Sequence, residues 1–305
     1  MSTKQELNTE FAILDQLQFE AHGSGIVMAV INNRYAKTII STYGGHLVSY
    51  CPKGEVEDVL FLSENEVLGG GKAIRGGTPI CWPWFATDKS GFGRPPHGFA
   101  RNVQWEVLKT STADDGSTAI QLGLNHTEGS LAVWPHSFQL VLEVVVGKVL
   151  TMNLTTTNVG QKAMSISQAL HTYFNVSDIE GVSVHGLNGV SYQDKLTNFS
   201  ISKQQGDIKI QGEIDRIYLD VPETVRLKDT GYGRDILITG QGNKTTVVWN
   251  PGPETIKSLA DLDNTACQGF ICIETANAAD DIVLLGEGEC HTITAIYQVE
   301  KTSLV

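Results

Sequence analysis

The chain is predicted to be all-β, a sandwich of large twisted antiparallel sheets, and three observations predict it. Short runs rich in Val, Ile, Thr, Phe and Tyr recur along most of its length, many alternating apolar with polar residues. The 31 glycines, with turn pairs such as Asn32-Asn33 and Asp114-Asp115-Gly116, punctuate those runs. Strand-like and helix-like segments do not alternate as they do in βαβ units.

Taken in order, the first periodic segment is helical: Leu7, Phe11, Leu14 and Leu17 form a weak amphipathic stripe able to cap one end of the fold. Strands are expected from Ile26 onward. Runs 26–31 and 37–43 are β-branched and meet across Asn32-Asn33, while 103–110 and 117–124 flank Asp114-Asp115-Gly116 as a hairpin. Phe138, Leu140, Leu142, Val144 and Val146 share one face of a long strand, which Gly147-Lys148 turns into 149–158. Similar runs lie at 217–221, 236–239, 245–249, 269–274, 282–284 and 291–299, and only 255–262 looks like another helix. No composition break or linker divides the 305 residues, so one domain spanning 1–305 is expected.

Composition narrows the partners. A content of 41% hydrophobic and 18% charged residues is that of an ordinary soluble globule, and the net charge is −12. Nucleic acids and anionic membranes both reward clustered Lys and Arg, so neither is expected as a partner, and no obligate protein partner is apparent. Five cysteines without a C-x-x-C pair suggest free thiols in a reducing compartment. The N-terminus, with Lys4, Glu6, Glu10 and Asp15, lacks the apolar run of a signal peptide, and a cytoplasmic location is expected.

The densest chemistry lies in Arg75-Gly-Gly-Thr-Pro-Ile-Cys-Trp-Pro-Trp-Phe85 and Pro96-His97-Gly-Phe-Ala-Arg101-Asn102. Guanidinium forks for anionic oxygens, indoles for flat apolar faces and a titratable imidazole suit a ring-shaped polar ligand with an acidic group. A structural corner with buried Trp and surface Arg would carry the same residues. An anionic ligand on this acidic body needs a local positive pocket, for which Arg75 and Arg101 are the candidates. Gly69-Gly70-Gly71-Lys72 fails as a phosphate loop, because Glu66 and Ala73 stand where Gly and Ser/Thr are required. Metal-ligand spacings and a G-x-S-x-G elbow are missing, so no metal or cofactor is expected.

Acid–base chemistry remains. His171 lies in a strand-like run with Ala169 and Tyr173 on its face, where a satisfied core or surface histidine is the ordinary alternative. Glu274 shares a face with Phe270 and Cys272, a costly place for a carboxylate unless it is paired or functional, and burial there raises its pKa toward a general base's range. Asp215 stands in a charged turn before a strand. Spacing alone does not bring these three together.

The motifs from Arg75 to Phe85 and His97 to Asn102, with His171-Thr-Tyr-Phe174, Asp215-Arg-Ile-Tyr218, Val248-Trp-Asn-Pro251 and Cys272-Ile-Glu-Thr275, resemble the D-hexose-6-phosphate mutarotases of the aldose 1-epimerase, galactose mutarotase-like superfamily. The resemblance implies a β-supersandwich binding a sugar phosphate on the concave face of one sheet. It makes His171 the general acid, Glu274 the general base, Asp215 and His97 sugar contacts, and Arg75 and Arg101 the arginines that hold substrate oxygens, the phosphate among them. Acid and base on opposite sides of the C1–O5 bond would suffice, with Glu274 protonation giving the acidic limb of a bell-shaped pH profile and His171 deprotonation the basic limb. Pro96 departs from the polar residue that some members carry before His-Gly. A mutarotase for neutral aldoses and a non-catalytic carbohydrate-binding protein are the alternatives.

Overall fold

The computed structural model describes residues 2–65, 73–88 and 93–302; the rejected phosphate-loop segment 69–72 lies outside them. Among the described residues, strands build two large sheets, both wholly antiparallel. One has nine strands in the order Ile208–Lys209, Val182–His185, Thr224–Asp229, Arg234–Gln241, Cys290–Lys301, Leu150–Asn158, Phe138–Val146, Thr118–Asn125, Glu106–Thr112. The other has eight: Ser200–Lys203, Ser191–Asp194, Ile214–Leu219, Thr245–Asn250, Phe270–Asn277, Gln168–Leu170 and Ile80–Cys81, with Tyr173–Asn175 also paired to Phe270–Asn277. A four-stranded sheet runs from Leu17–His22 to His46–Pro52, and Met164–Ile166 pairs with Val283–Leu285.

Alternation makes the sandwich. In the hairpin of Phe138–Val146 and Leu150–Asn158, every second residue from Phe138 to Val146 is fully buried, as are Leu150, Met152 and Leu154. The eight-stranded sheet answers with Ile214, Tyr218, Val248, Ile271 and Ile273 in the same apolar cluster. Each such aliphatic residue, fully buried, contributes about 1.5–3 kcal/mol. The sheets also touch through polar atoms: Thr172 Oγ1 lies 2.5 Å from Tyr297 Oη, and the Phe174 ring meets Tyr297 edge-on at 5.2 Å. With Thr172 facing the interior, its neighbours His171 and Tyr173 face the opposite side.

The first helix is shorter than its apolar stripe predicts. Lys4–Phe11 starts on a Thr3/Glu6 capping box and buries Leu7, but Leu14 is 87% exposed in a turn and Leu17 opens a strand paired with Ile31. Cross-strand pairing of Leu17 and Phe19 outweighs the continuation of a weak helix. The expected helix at 255–262 is reduced to Gly252–Thr255 and a 3₁₀ turn, Ile256–Ser258, while Glu128–Val133 forms a short helix that the sequence reading lacked.

Candidate active site

Register assembles the site. On one side of His171, Leu170 pairs with Thr275; on the other, Tyr173 pairs with Cys272. The count is unchanged across the gap, so His171 stands directly opposite Glu274. His171 itself is outside the two short strands, held by its N–H to the Pro79 carbonyl at 3.0 Å. The ladder continues to Val247 opposite Glu274, Ile217 opposite Val247, Trp249 opposite Cys272 and Asp215 opposite Trp249. Paired residues share a face, so His171 and Glu274 lie in one row and Tyr173, Cys272, Trp249 and Asp215 in the next.

His171 Nε2 lies 3.3 Å from Glu274 Oε1, and both side chains are buried. They are direct neighbours, where the expectation from the sequence set acid and base on opposite sides of the C1–O5 bond. Among the described residues, His171 Nδ1 and Glu274 Oε2 are buried without a hydrogen-bond partner. Leaving such atoms unpaired costs about 1–3 kcal/mol each, a cost a ligand can relieve. Burial pushes Glu274 well above the ordinary carboxylate value, with the Asp215 charge adding to the rise and Lys195 and Arg101 opposing it. Burial also takes His171 well below its ordinary value, helped by His97, Arg101 and Arg75. Tyr173 stacks on the His171 ring at 5.0 Å, and Trp249 meets it edge-on at 5.9 Å.

The loops frame this pair. His97, at a φ of +66°, faces His171 at 5.7 Å between ring centroids. Ala86 N–H donates to its Nδ1 at 3.4 Å, which leaves Nε2 as the protonated donor of a neutral ring. Next to it, Gly98 has a φ of +71°, and a Cβ there would overlap the Trp82 carbonyl. Arg101 Nη2 donates to the Pro96 carbonyl at 3.1 Å, its Nε is buried without a partner, and no acidic residue among those described pairs with it. Arg75 is differently placed: Nε and Nη2 reach Asp261 Oδ2, both at 2.9 Å, and Nη1 donates to Tyr173 Oη at 2.9 Å. Asp215 receives Lys195 Nζ at 2.6 Å.

All six residues singled out in the sequence therefore lie in or beside one site, with Arg75 engaged by its protein neighbours. The two indoles of the Arg75–Phe85 motif do not line it. Trp82 is fully buried in the sandwich core, donating to Thr156 Oγ1, and Trp84 packs under Arg94 at 4.1 Å. Arg94 in turn holds Asp88 through two contacts of 2.8 Å. Trp249 is the indole on the site face, and Lys195 the cation that the sequence reading overlooked; the register that brings both in is not visible without strand pairing.

The aldose 1-epimerase family pattern matches residues 27–298. A protein of Escherichia coli K12 provisionally named a glucose-6-phosphate 1-epimerase is 35% identical over 88% of this chain and 89% of its own, and one of the same name from Cenchrus ciliaris is 35% identical over 82% and 77%. A crystal structure from Salmonella typhimurium, provisionally named a mutarotase, superposes with a TM-score of 0.88 at 30% identity over 95% of this chain and 96% of that one. A galactose mutarotase-like protein from Clostridium acetobutylicum shares the fold, with a TM-score of 0.76 at 14% identity over 94% and 98% of the two chains. With pattern, relatives and fold in agreement over nearly the whole length, this chain belongs to the aldose 1-epimerase family.

Proposed function

We propose that the protein interconverts the α and β anomers of a hexose 6-phosphate, glucose 6-phosphate foremost, by opening and reclosing the sugar ring. The observation that carries this reading is the buried 3.3 Å contact between His171 and Glu274, each with a second polar atom buried without a hydrogen-bond partner among the described residues. The names of the Escherichia coli and Cenchrus ciliaris relatives support the phosphorylated substrate.

Glu274 takes the proton of the C1 hydroxyl while His171 gives one to the ring oxygen, and the C1–O5 bond breaks to leave the open-chain aldehyde. Rotation about C1–C2 presents the other carbonyl face. Closure reverses both transfers and returns the pair to its starting state. Both reacting oxygens sit on C1, so an adjacent acid and base serve them together. From ordinary values of 4.5 and 6.5, a proton prefers the imidazole by two units, about 2.7 kcal/mol. Raising one group and lowering the other brings the two placements of the shared proton closer in energy, as a cycle that visits both requires.

The same shifts move both limbs of the pH profile expected from the sequence, the Glu274 limb upward and the His171 limb downward. The active pair holds one proton, so exchange should fall at acid pH, where both groups are protonated, and at alkaline pH, where neither is. Nitrogen-15 shifts of the free enzyme should report His171 titrating below its ordinary 6.5, and a ring that stays charged above that pH would refute this direction.

Arg101 supplies the phosphate contact in this reading. One observation favours the neutral-aldose alternative: the Arg75 fork is engaged by Asp261 and Tyr173, which reduces the expected pair of phosphate arginines to one. Anomer-exchange NMR on glucose 6-phosphate and glucose decides between them. Arg101→Ala should cost glucose 6-phosphate turnover about 1.5–3 kcal/mol, the range for hydrogen bonds to a charged group, and glucose much less. Equal losses would move the neutral-aldose reading ahead. A cytoplasmic location is supported by five unpaired cysteines, and one core cluster reaching from Leu7 to Tyr297 supports reading 1–305 as one domain.

A further inference from the structure

The turn after strand Ser191–Asp194 brings a cation to the site from the outer side of the sheet. Asp194 pairs with Arg216 at the end of its ladder, and the same register carried one step further sets Lys195 opposite Asp215. Lys195 therefore extends the row of Asp215, Trp249, Cys272 and Tyr173. Its backbone is pinned: Asp194 Oδ1 accepts the Leu196 N–H at 3.0 Å, the Asp194 carbonyl accepts the Phe199 N–H at 2.8 Å, and Arg216 Nε holds Asp194 Oδ2 at 3.0 Å. The Lys195 side chain is 57% exposed, with Asp215, only 13% exposed, as its acidic partner at 2.6 Å. An ion pair with one end so exposed is worth only about 0–1 kcal/mol and is readily exchanged. The ammonium lies close enough for its charge to be felt at Glu274, ahead of Arg101's, and at His97.

We propose that Lys195 is a specificity residue that answers the phosphate: in the free enzyme its ammonium occupies Asp215, and a bound sugar phosphate draws Nζ to its own oxygens, leaving Asp215 to accept a sugar hydroxyl. This rests on the hexose 6-phosphate reading above. A phosphate dianion offers more charge and three acceptor oxygens, so it competes well for the ammonium. A neutral sugar has no such pull and must contend with Nζ for the carboxylate. Selectivity then comes from an acceptor blocked to the wrong substrate as well as from a contact made to the right one.

Wild type, Lys195→Met and Lys195→Arg should be compared by anomer-exchange NMR on glucose 6-phosphate and on glucose. Lys195→Met is expected to raise KM for glucose 6-phosphate by about tenfold or more, the worth of one charge-assisted hydrogen bond, with kcat little changed. Exchange of glucose should stay level or rise, and Lys195→Arg should keep most of the wild-type preference. Inorganic phosphate, titrated calorimetrically, should bind Lys195→Met more weakly than wild type. A Lys195→Met enzyme that loses both sugars equally, or neither, overturns the proposal and leaves Lys195 a mere counter-ion to Asp215. A wild type that exchanges neither sugar overturns the mutarotase reading itself, and Lys195's role with it.

Discussion

Glu274→Gln is expected to slow anomer exchange of glucose 6-phosphate by at least about 10²-fold, and His171→Asn by a comparable factor, since positioned general acids and bases each supply roughly 10²–10⁴. The glutamine keeps the shape of Glu274 and a polar end against His171 Nε2, but cannot take the C1 proton. Stability should not fall in step, because a neutral amide in a buried row carries none of the desolvation that raises the Glu274 pKa. Loss should appear in kcat more than in KM, and the double variant should be little worse than either single one, since the two residues hold one proton between them. A folded Glu274→Gln protein exchanging anomers at the wild-type rate would remove Glu274 from the mechanism.

Gly98→Ala is expected to destabilise the protein by about 4 kcal/mol or more, the range in which single substitutions break a specific backbone feature. Two requirements meet at this glycine. Its φ of +71° is strained for any side chain, and the added methyl would overlap the Trp82 carbonyl. That carbonyl already accepts the N–H groups of Phe99 and Ala100, at 3.0 and 3.3 Å, so it cannot retreat without giving them up. Chemical denaturation of Gly98→Ala beside Gly23→Ala, where the added methyl meets nothing within 4 Å, separates this from a generic glycine effect. An unchanged midpoint for Gly98→Ala would mean that the turn tolerates rearrangement. Because His97 and Arg101 flank the same turn, substrate affinity should weaken even in whatever fraction remains folded.

The strands were readable where alternation is strong, as in Phe138–Val146, and the opposed faces of His171 and Thr172 follow from period two alone. What the sequence could not reveal is which strands are neighbours. His171 and Glu274 are over a hundred positions apart in the chain, and only the ladder between Gln168–Leu170, Tyr173–Asn175 and Phe270–Asn277 makes them partners. The tryptophans misled for the same reason. Trp82 and Trp84 sit in the densest motif yet serve the core and the Arg94 corner, while Trp249, in an unremarkable strand, reaches the site through its pairing with Asp215 and Cys272. Lys195 has no local signature, since an exposed lysine in a turn is common and only its position across from Asp215 distinguishes it. The helix stripe ending at Leu17 overreached because local periodicity carries no information about the strand Ile26–Asn32 waiting to pair with it.

The unbroken count across His171 has a consequence for how this site can vary through time. Its two central residues, His171 and Glu274, meet because equal numbers of residues separate them from the pairs on either side, so what matters is a parity more than any contact. Side chains along Phe270–Asn277 can change with only their own row affected. One residue gained or lost between Cys272 and Glu274, with the pairing at Cys272 kept, would instead turn Glu274 toward the interior occupied by Ile271 and Ile273, and set a different side chain opposite His171. That strand can take substitutions and keep this site, but hardly a change of length.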